Sequence, residues 1–142
     1  MFKDKKIISI VDKKLDDCRS FQDVLSTLQG INVVKFTDSI EALEHFKLNR
    51  ENYVLMISDL RMPVINGVQL LKTVKDLNPS ARTILMTADK IDRYSYNGYI
   101  INPLIDSFLK KPIQLDNLLL EAKEHIKSIK ELNKKLKNHP CK

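Results

Sequence analysis

Apolar positions along this chain alternate between two rhythms. Short β-branched runs read as strands, and stretches with apolar residues three and four apart read as helices. Lys6-Ile7-Ile8-Ser9-Ile10-Val11 is the first run, and it stops on Asp12. Ile31 to Phe36 is the second. Val54-Leu55-Met56-Ile57-Ser58 is the third and runs straight into Asp59. Its unbroken apolar character fits a strand buried on both faces, as in a parallel sheet. Arg82 to Met86 stops at Thr87-Ala88, and Ser107-Phe108-Leu109 precedes Lys110-Lys111-Pro112.

Helical spacing fills the gaps. Phe21, Val24, Leu25 and Leu28 follow the acids Asp16-Asp17, which favour a helix N-terminus, and Gly30 supplies a stop. Thr37-Asp38-Ser39 caps a helix carrying Ala42, Leu43, Phe46 and Leu48, with Asp38 or Ser39 as the N-cap. Pro63 ends the third strand's path, and Asn66-Gly67 suits the positive φ of a tight turn before a helix from about Val68 to Leu77, closed by Asn78-Pro79. Residues 89–106 are the hardest to read: Asp89 to Tyr96 fits a short helix that Asn97-Gly98 breaks. From Ile113 one long helix is predicted to about Leu136. Leu115, Ala122, Ile129 and Leu136 recur along it at heptad spacing, with Leu118, His125 and Leu132 between them. Its first half should dock on the sheet. Beyond about Glu124 the stripe should face water unless a short coiled coil, and with it a homodimer, or a linker to an effector covers it.

Five strands alternating with helices predict an α/β, doubly wound, open five-stranded parallel sheet. At 142 residues the expected organisation is one domain over 1–125 and a helical extension or linker over 126–142. Composition narrows the classes little, with 43% hydrophobic and 30% charged residues. The net charge of +6 is concentrated near the end, where the last 30 residues hold seven lysines against four acids, without arginine or aromatics. Base readout and single-strand stacking need those missing types, so direct nucleic-acid binding is not expected. No apolar run spans a membrane and the first residues lack a signal peptide's apolar core, so the expected compartment is the cytoplasm. Cys18 and Cys141 make no framework, and His45, His125 and His139 share no ligand spacing.

Four strands end on groups that do chemistry: Asp12, Asp59, Thr87 and Lys111. In a parallel sheet all carboxyl ends share one edge, where ligands gather. Two carboxylates offer hard oxygens to Mg²⁺, while a hydroxyl and an ammonium suit a phosphoryl group. Together these can move a phosphoryl group onto an aspartate by positioning and charge neutralisation. A hydrolase built on an aspartyl intermediate would also need a second acid–base pair or a cap insertion, and neither is in the sequence.

The ordered set Ile-Ile-Ser-Ile-Val-Asp12, Ile-Ser-Asp59-Leu-Arg-Met-Pro63-x-x-Asn-Gly67, Ile-Leu-Met-Thr87-Ala88 and Phe108-Leu-Lys-Lys111-Pro112 resembles the receiver domains of two-component response regulators, over roughly residues 5–125. The resemblance, to a chemotaxis-type receiver standing alone or separated from its effector, implies a flavodoxin-like fold with strand order 2-1-3-4-5. It implies that Asp59 accepts a phosphoryl group from a histidine kinase or phosphotransfer protein, and that Asp12, Asp59 and the backbone carbonyl of Arg61 hold Mg²⁺. Thr87 becomes the switch hydroxyl, Lys111 the phosphate-pairing cation, and Phe108 the aromatic that moves with Thr87. The fourth helix, fifth strand and fifth helix become the surface read by a downstream protein. The expected function is a signalling switch with no output domain of its own, which assists its own phosphorylation and dephosphorylation without turning over an outside substrate.

Two departures qualify this. The acidic pair after the first strand is Asp12-Lys13, so a lysine stands where a direct Mg²⁺ ligand is expected. Metal binding should weaken, which leaves a phosphorylation-independent pseudo-receiver as the alternative. Asp16 or Asp17 offers a replacement acid, and the Lys13 ammonium itself offers a positive charge for phosphate. The second departure is Tyr94, Tyr96 and Tyr99, which suit either an exposed recognition patch or helix packing.

Overall fold

The computed structural model describes residues 5–88, 95–96, 99–100 and 104–138, with the backbone alone for 95–96, 99–100 and 131–138. Its centre is the strand β3 (Tyr53–Asp59), in which every residue is buried. β1 (Lys6–Val11) and β4 (Arg82–Thr87) flank it, β2 (Ile31–Phe36) pairs outside β1, and β5 (Ser107–Lys110) pairs outside β4. All pairings are parallel, so the order is 2-1-3-4-5, the doubly wound flavodoxin-like arrangement.

Helices α1 (Leu15–Leu25) and α4 (Leu115–Asn138) cover one face; α2 (Ser39–Asn49) and α3 (Gly67–Leu77) cover the other. Strand alternation divides the core between them. Ile8, Ile10, Ile57, Ile84 and Met86 pack with Cys18, Phe21, Leu118 and Ala122. Val11, Met56 and Leu85 pack with Ala42, Phe46, Val68 and Val74 on the far side. Thus both faces of β1, β3 and β4 are apolar, which is why these strands read as continuous runs.

Local chemistry sets the boundaries. Asp38 is the N-cap of α2, accepting from Ile40 N at 2.7 Å and Glu41 N at 3.4 Å. Asn66 caps α3 in a reciprocal box with Gln69, its Oδ1 accepting from Gln69 N at 2.9 Å while Gln69 Oε1 accepts from Asn66 N at 2.8 Å. Positive φ does not fall at Asn66, whose φ is −80°, but two residues earlier at Val64, whose φ is 71°. Ile65 N donates to Pro63 O at 2.9 Å, closing a three-residue turn around Val64. A β-branched residue there is strained, by about 1–3 kcal/mol. Val64 is 84% exposed and so has little packing to lose. Val64→Gly should therefore raise the unfolding free energy by about 1 kcal/mol, after glycine's own entropic cost; an unchanged or lower urea midpoint would show that the turn is not strained.

Several expectations change. α1 ends at Leu25, five residues before Gly30, which instead turns the chain into β2 with φ 75°. Leu48 is 85% exposed because it lies off the face that buries Ala42 and Phe46. Ser95–Tyr96 is a strand paired antiparallel with Tyr99–Ile100, not the end of a helix. Asn-Gly between two short β segments is the strongest short-range hairpin signal, and it outweighed the helical spacing. The rest of the expected helix, Asp89 to Tyr94, lies outside the described residues, as do the side chains of Tyr94, Tyr96 and Tyr99. On α4 the stripe that docks is Leu118, Ala122 and Ile126, with Ile129 half-buried, whereas Leu115 is 41% exposed. The docked period is helical rather than heptad, and it carries contact with the sheet past Glu124. The side chains of Leu132 and Leu136 lie outside the described residues.

Candidate functional site

β1, β3, β4 and β5 bring their carboxyl ends to one edge, and Asp12, Asp59, Thr87 and Lys111 meet there. Asp12 follows β1 and is fully buried; its backbone N–H donates to Phe36 O at 3.1 Å and its Oδ1 accepts from the backbone N–H of Lys14 at 2.9 Å. Asp59 is the last residue of β3 and is 5% exposed. Thr87 closes β4, buried, and its carbonyl accepts from Lys111 N at 2.9 Å, which holds the start of the Lys111 side chain beside it. Phe108 is half-buried in β5 opposite Leu85 and packs on the α2/α3 side of the core.

The Lys111 ammonium joins the two acids. Its Nζ lies 3.1 Å from Asp12 Oδ2 and 3.3 Å from Asp59 Oδ2. Burial pushes the Asp59 carboxyl above its ordinary range; Lys111 pulls it back and Asp12 adds to the rise. Burial alone would lower Lys111, yet the two carboxylates outweigh it and hold the ammonium above the ordinary lysine value. Asp59 is thus a buried carboxylate whose negative charge is under-compensated. It is a group that gains from a cation or from losing its charge to an ester.

Gly67 makes the close packing of this edge possible. A Cβ there would stand 2.4 Å from Asp59 O and 2.8 Å from Leu85 Cδ1, so only glycine lets α3 begin against the Asp59 backbone. Two openings flank the edge. A cleft of about 530 Å³ lies between α1 and the start of α4, lined by residues including Lys14, Asp17, Phe21, Ala88 and Lys111. A second of about 440 Å³ is bordered by Lys13, Leu60, Arg61, Met62, Pro63 and Asn66. Asp17 therefore faces the first cleft, and Asp16 is exposed.

Sequence spacing missed the groups that fix this edge from behind. The Lys14 backbone N–H on Asp12 carries no side-chain signal. The Asn66 to Gln69 cap was readable from its i, i+3 spacing. At the opposite edge Asp106 Oδ2 accepts from Lys75 Nζ at 2.6 Å and Thr83 N at 2.9 Å, and His125 Nε2 is 2.7 Å from Ser107 Oγ. These contacts anchor β5 and α4, with burial lowering the His125 pKa. Among the described residues no cluster of three or more His, Cys, Asp or Glu forms, and no helix is long and apolar enough to cross a membrane.

Residues 8–123 match the response regulator receiver domain family. The autoinducer 1 sensor kinase/phosphatase LuxN of Vibrio harveyi is 32% identical over 111 residues, 78% of this chain and 12% of that protein. The transcriptional regulatory protein ZraR of Klebsiella oxytoca is 30% identical over 120 residues, 82% of this chain and 25% of that one. The chain thus spans a quarter or less of these relatives. In fold it is similar to a response regulator receiver domain protein from Clostridium thermocellum, with TM-score 0.77, 21% identity, and coverage of 89% of this chain and 98% of that one. A signal receiver domain of a putative Luxo repressor from Vibrio parahaemolyticus gives TM-score 0.76 at 18% identity, covering 95% and 99%. With the sheet order, the carboxyl-edge acids and a match over most of its length, the chain belongs to the response regulator receiver domain family of two-component signalling.

Proposed function

We propose that this chain is a phospho-acceptor switch in which Asp59 takes a phosphoryl group from the phosphohistidine of a sensor kinase or phosphotransfer protein. The observation that carries this is one ammonium, Lys111, set between two buried carboxylates at the carboxyl edge, with the Lys111 backbone N–H tied to the Thr87 carbonyl. An Asp59 oxygen attacks phosphorus; the new O–P bond forms as the donor's P–N bond breaks, and the leaving imidazole nitrogen takes a proton. Lys111 neutralises the phosphoryl oxygens, and Asp12 holds Lys111 in position. The cleft beside Lys111, open between α1 and α4, gives a donor side chain its approach.

Mg²⁺ would be held by Asp12, Asp59 and the Arg61 carbonyl, hard oxygens of the right kind, and Lys13 in place of a further acid would weaken its binding. When bound it would supply charge neutralisation at the phosphoryl oxygens. Thr87 and Phe108 would relay the change: the hydroxyl turns to the phosphoryl group, and the half-buried ring packed on the α2/α3 side moves with it. The altered surface around β5 and α4 then regulates a partner protein, in the cytoplasm. A homodimer through the end of α4 is a further part of this reading, and sedimentation at several concentrations tests it.

The deciding experiment treats wild type and Asp59→Asn with acetyl phosphate and Mg²⁺ and weighs the intact proteins. A gain of one phosphoryl group in wild type alone is expected. No gain at any Mg²⁺ concentration overturns the proposal in favour of a phosphorylation-independent interaction module, in which Lys13 would serve only to spoil the metal site. Asp59→Asn should also be more stable than wild type at neutral pH, because it removes an under-compensated buried charge.

A further inference from the structure

We infer that Lys13 is a second cation of the Asp59 site, so that a phosphoryl group there is held between two ammonium groups and forms without a divalent cation. The inference rests on Asp59 being the acceptor. It begins with placement. Lys13 directly follows the buried Asp12 and borders the 440 Å³ opening made with Leu60, Arg61, Met62, Pro63 and Asn66, the loop that leaves Asp59. Lys111 approaches Asp59 from the β5 side, at 3.3 Å, while Lys13 stands on the β1 and β3-loop side. The two lysines thus come to the end of β3 from different elements, Lys111 after β5 and Lys13 after β1.

Charge balance gives the consequence. Asp12 and Asp59 contribute two negative charges; Lys111 and Lys13 contribute two positive ones. Among the described residues no third acid joins them to make a metal-binding cluster. Asp17 lines the other cleft and Asp16 is exposed, so neither restores the deficit. A divalent cation would therefore meet two acids with an ammonium beside each, and a dianionic phosphoryl group would meet one ammonium more than a lone phosphate-pairing lysine provides. The exposed Lys13 side chain is long and flexible enough to follow the phosphoryl oxygens as they form.

The test uses phosphoramidate as donor and the full chain throughout. An Asp59 oxygen forms the O–P bond, the P–N bond breaks, and nitrogen leaves as ammonia with the protons it already carries. Wild type, Lys13→Met, Lys13→Asp and Asp59→Asn are treated in Mg²⁺ or in EDTA and weighed intact. Binding of Mn²⁺ to the unphosphorylated proteins is followed by electron paramagnetic resonance, and circular dichroism checks folding. Wild type should gain the phosphoryl mass in EDTA at a rate within about threefold of that in Mg²⁺. Lys13→Met should lose the EDTA reaction by tenfold or more. Lys13→Asp should react only with Mg²⁺ and bind Mn²⁺ at least tenfold more tightly than wild type. Reaction of wild type only in Mg²⁺, or an undiminished EDTA reaction in Lys13→Met, overturns the role of Lys13 and leaves the acceptor standing. Absence of mass gain in every protein, Lys13→Asp in Mg²⁺ included, overturns the acceptor and the inference together.

Discussion

Lys111→Met should destabilise the protein by about 3 kcal/mol at neutral pH, the usual cost of stripping a buried charge of its partner. The ammonium lies 3.1 Å from Asp12 and 3.3 Å from Asp59, and both carboxylates are buried, so its removal leaves two like charges facing one another. The deficit should shrink as the solution is acidified. Burial already raises the folded-state pKa of Asp59, and Lys111 opposes the rise; without Lys111 the carboxyl climbs further. A folded state that holds its proton more tightly than the unfolded chain gains stability as pH falls through the folded pKa toward the ordinary aspartate value. In wild type, Lys111 is itself raised, so its contribution is full below the ordinary lysine pKa and is lost only as pH climbs above it. Urea midpoints of wild type and variant, taken stepwise from neutral to about pH 4, check this. A difference that stays constant across that range would mean that the pair does not govern stability at this edge.

Gly67→Ala should cost about 3 kcal/mol, the upper part of the range for overpacking a filled core. The added methyl would stand 2.4 Å from the Asp59 carbonyl oxygen and 2.8 Å from Leu85 Cδ1. The Leu85 side chain can yield, but the Asp59 carbonyl is backbone within the central strand and cannot move alone. Gly67 N also donates to Leu60 O at 2.8 Å, which fixes the start of α3 against the residue after Asp59. Relief must come from shifting α3 or Asp59, so the substitution should also slow phosphoryl uptake. A variant with wild-type stability and wild-type uptake would show that the edge has slack not visible in the packing.

Asp12, Asp59, Thr87 and Lys111 were legible in the sequence because each ends or follows a short run with strand character, and parallel pairing alone carries those ends to one edge. Lys13 was legible as a departure for the same reason, since its position next to Asp12 fixes its neighbourhood. The Val64 turn was not legible. Asn-Gly advertises positive φ, yet here Asn66 is occupied in capping α3 and Gly67 in close approach, so the strained conformation falls on a valine. The α4 stripe was misplaced because heptad and helical periods differ little over three turns, and contact with α1 and β3 selected the helical one. Ser95–Tyr96 and Tyr99–Ile100 went to a ribbon because short apolar runs do not distinguish strand from helix by spacing.

By itself the sequence determined the doubly wound sheet and which four side chains share its carboxyl edge, since a buried parallel strand demands unbroken apolar residues and must end at the first polar ones. Only the tertiary structure decided how those charges pair. That Lys111 bridges Asp12 and Asp59, that Asp17 faces one cleft and Lys13 the other, and that Gly67 presses on Asp59 depend on distances between elements up to 99 residues apart. Strand pairing and helix packing set those distances, and no local pattern along the chain encodes them.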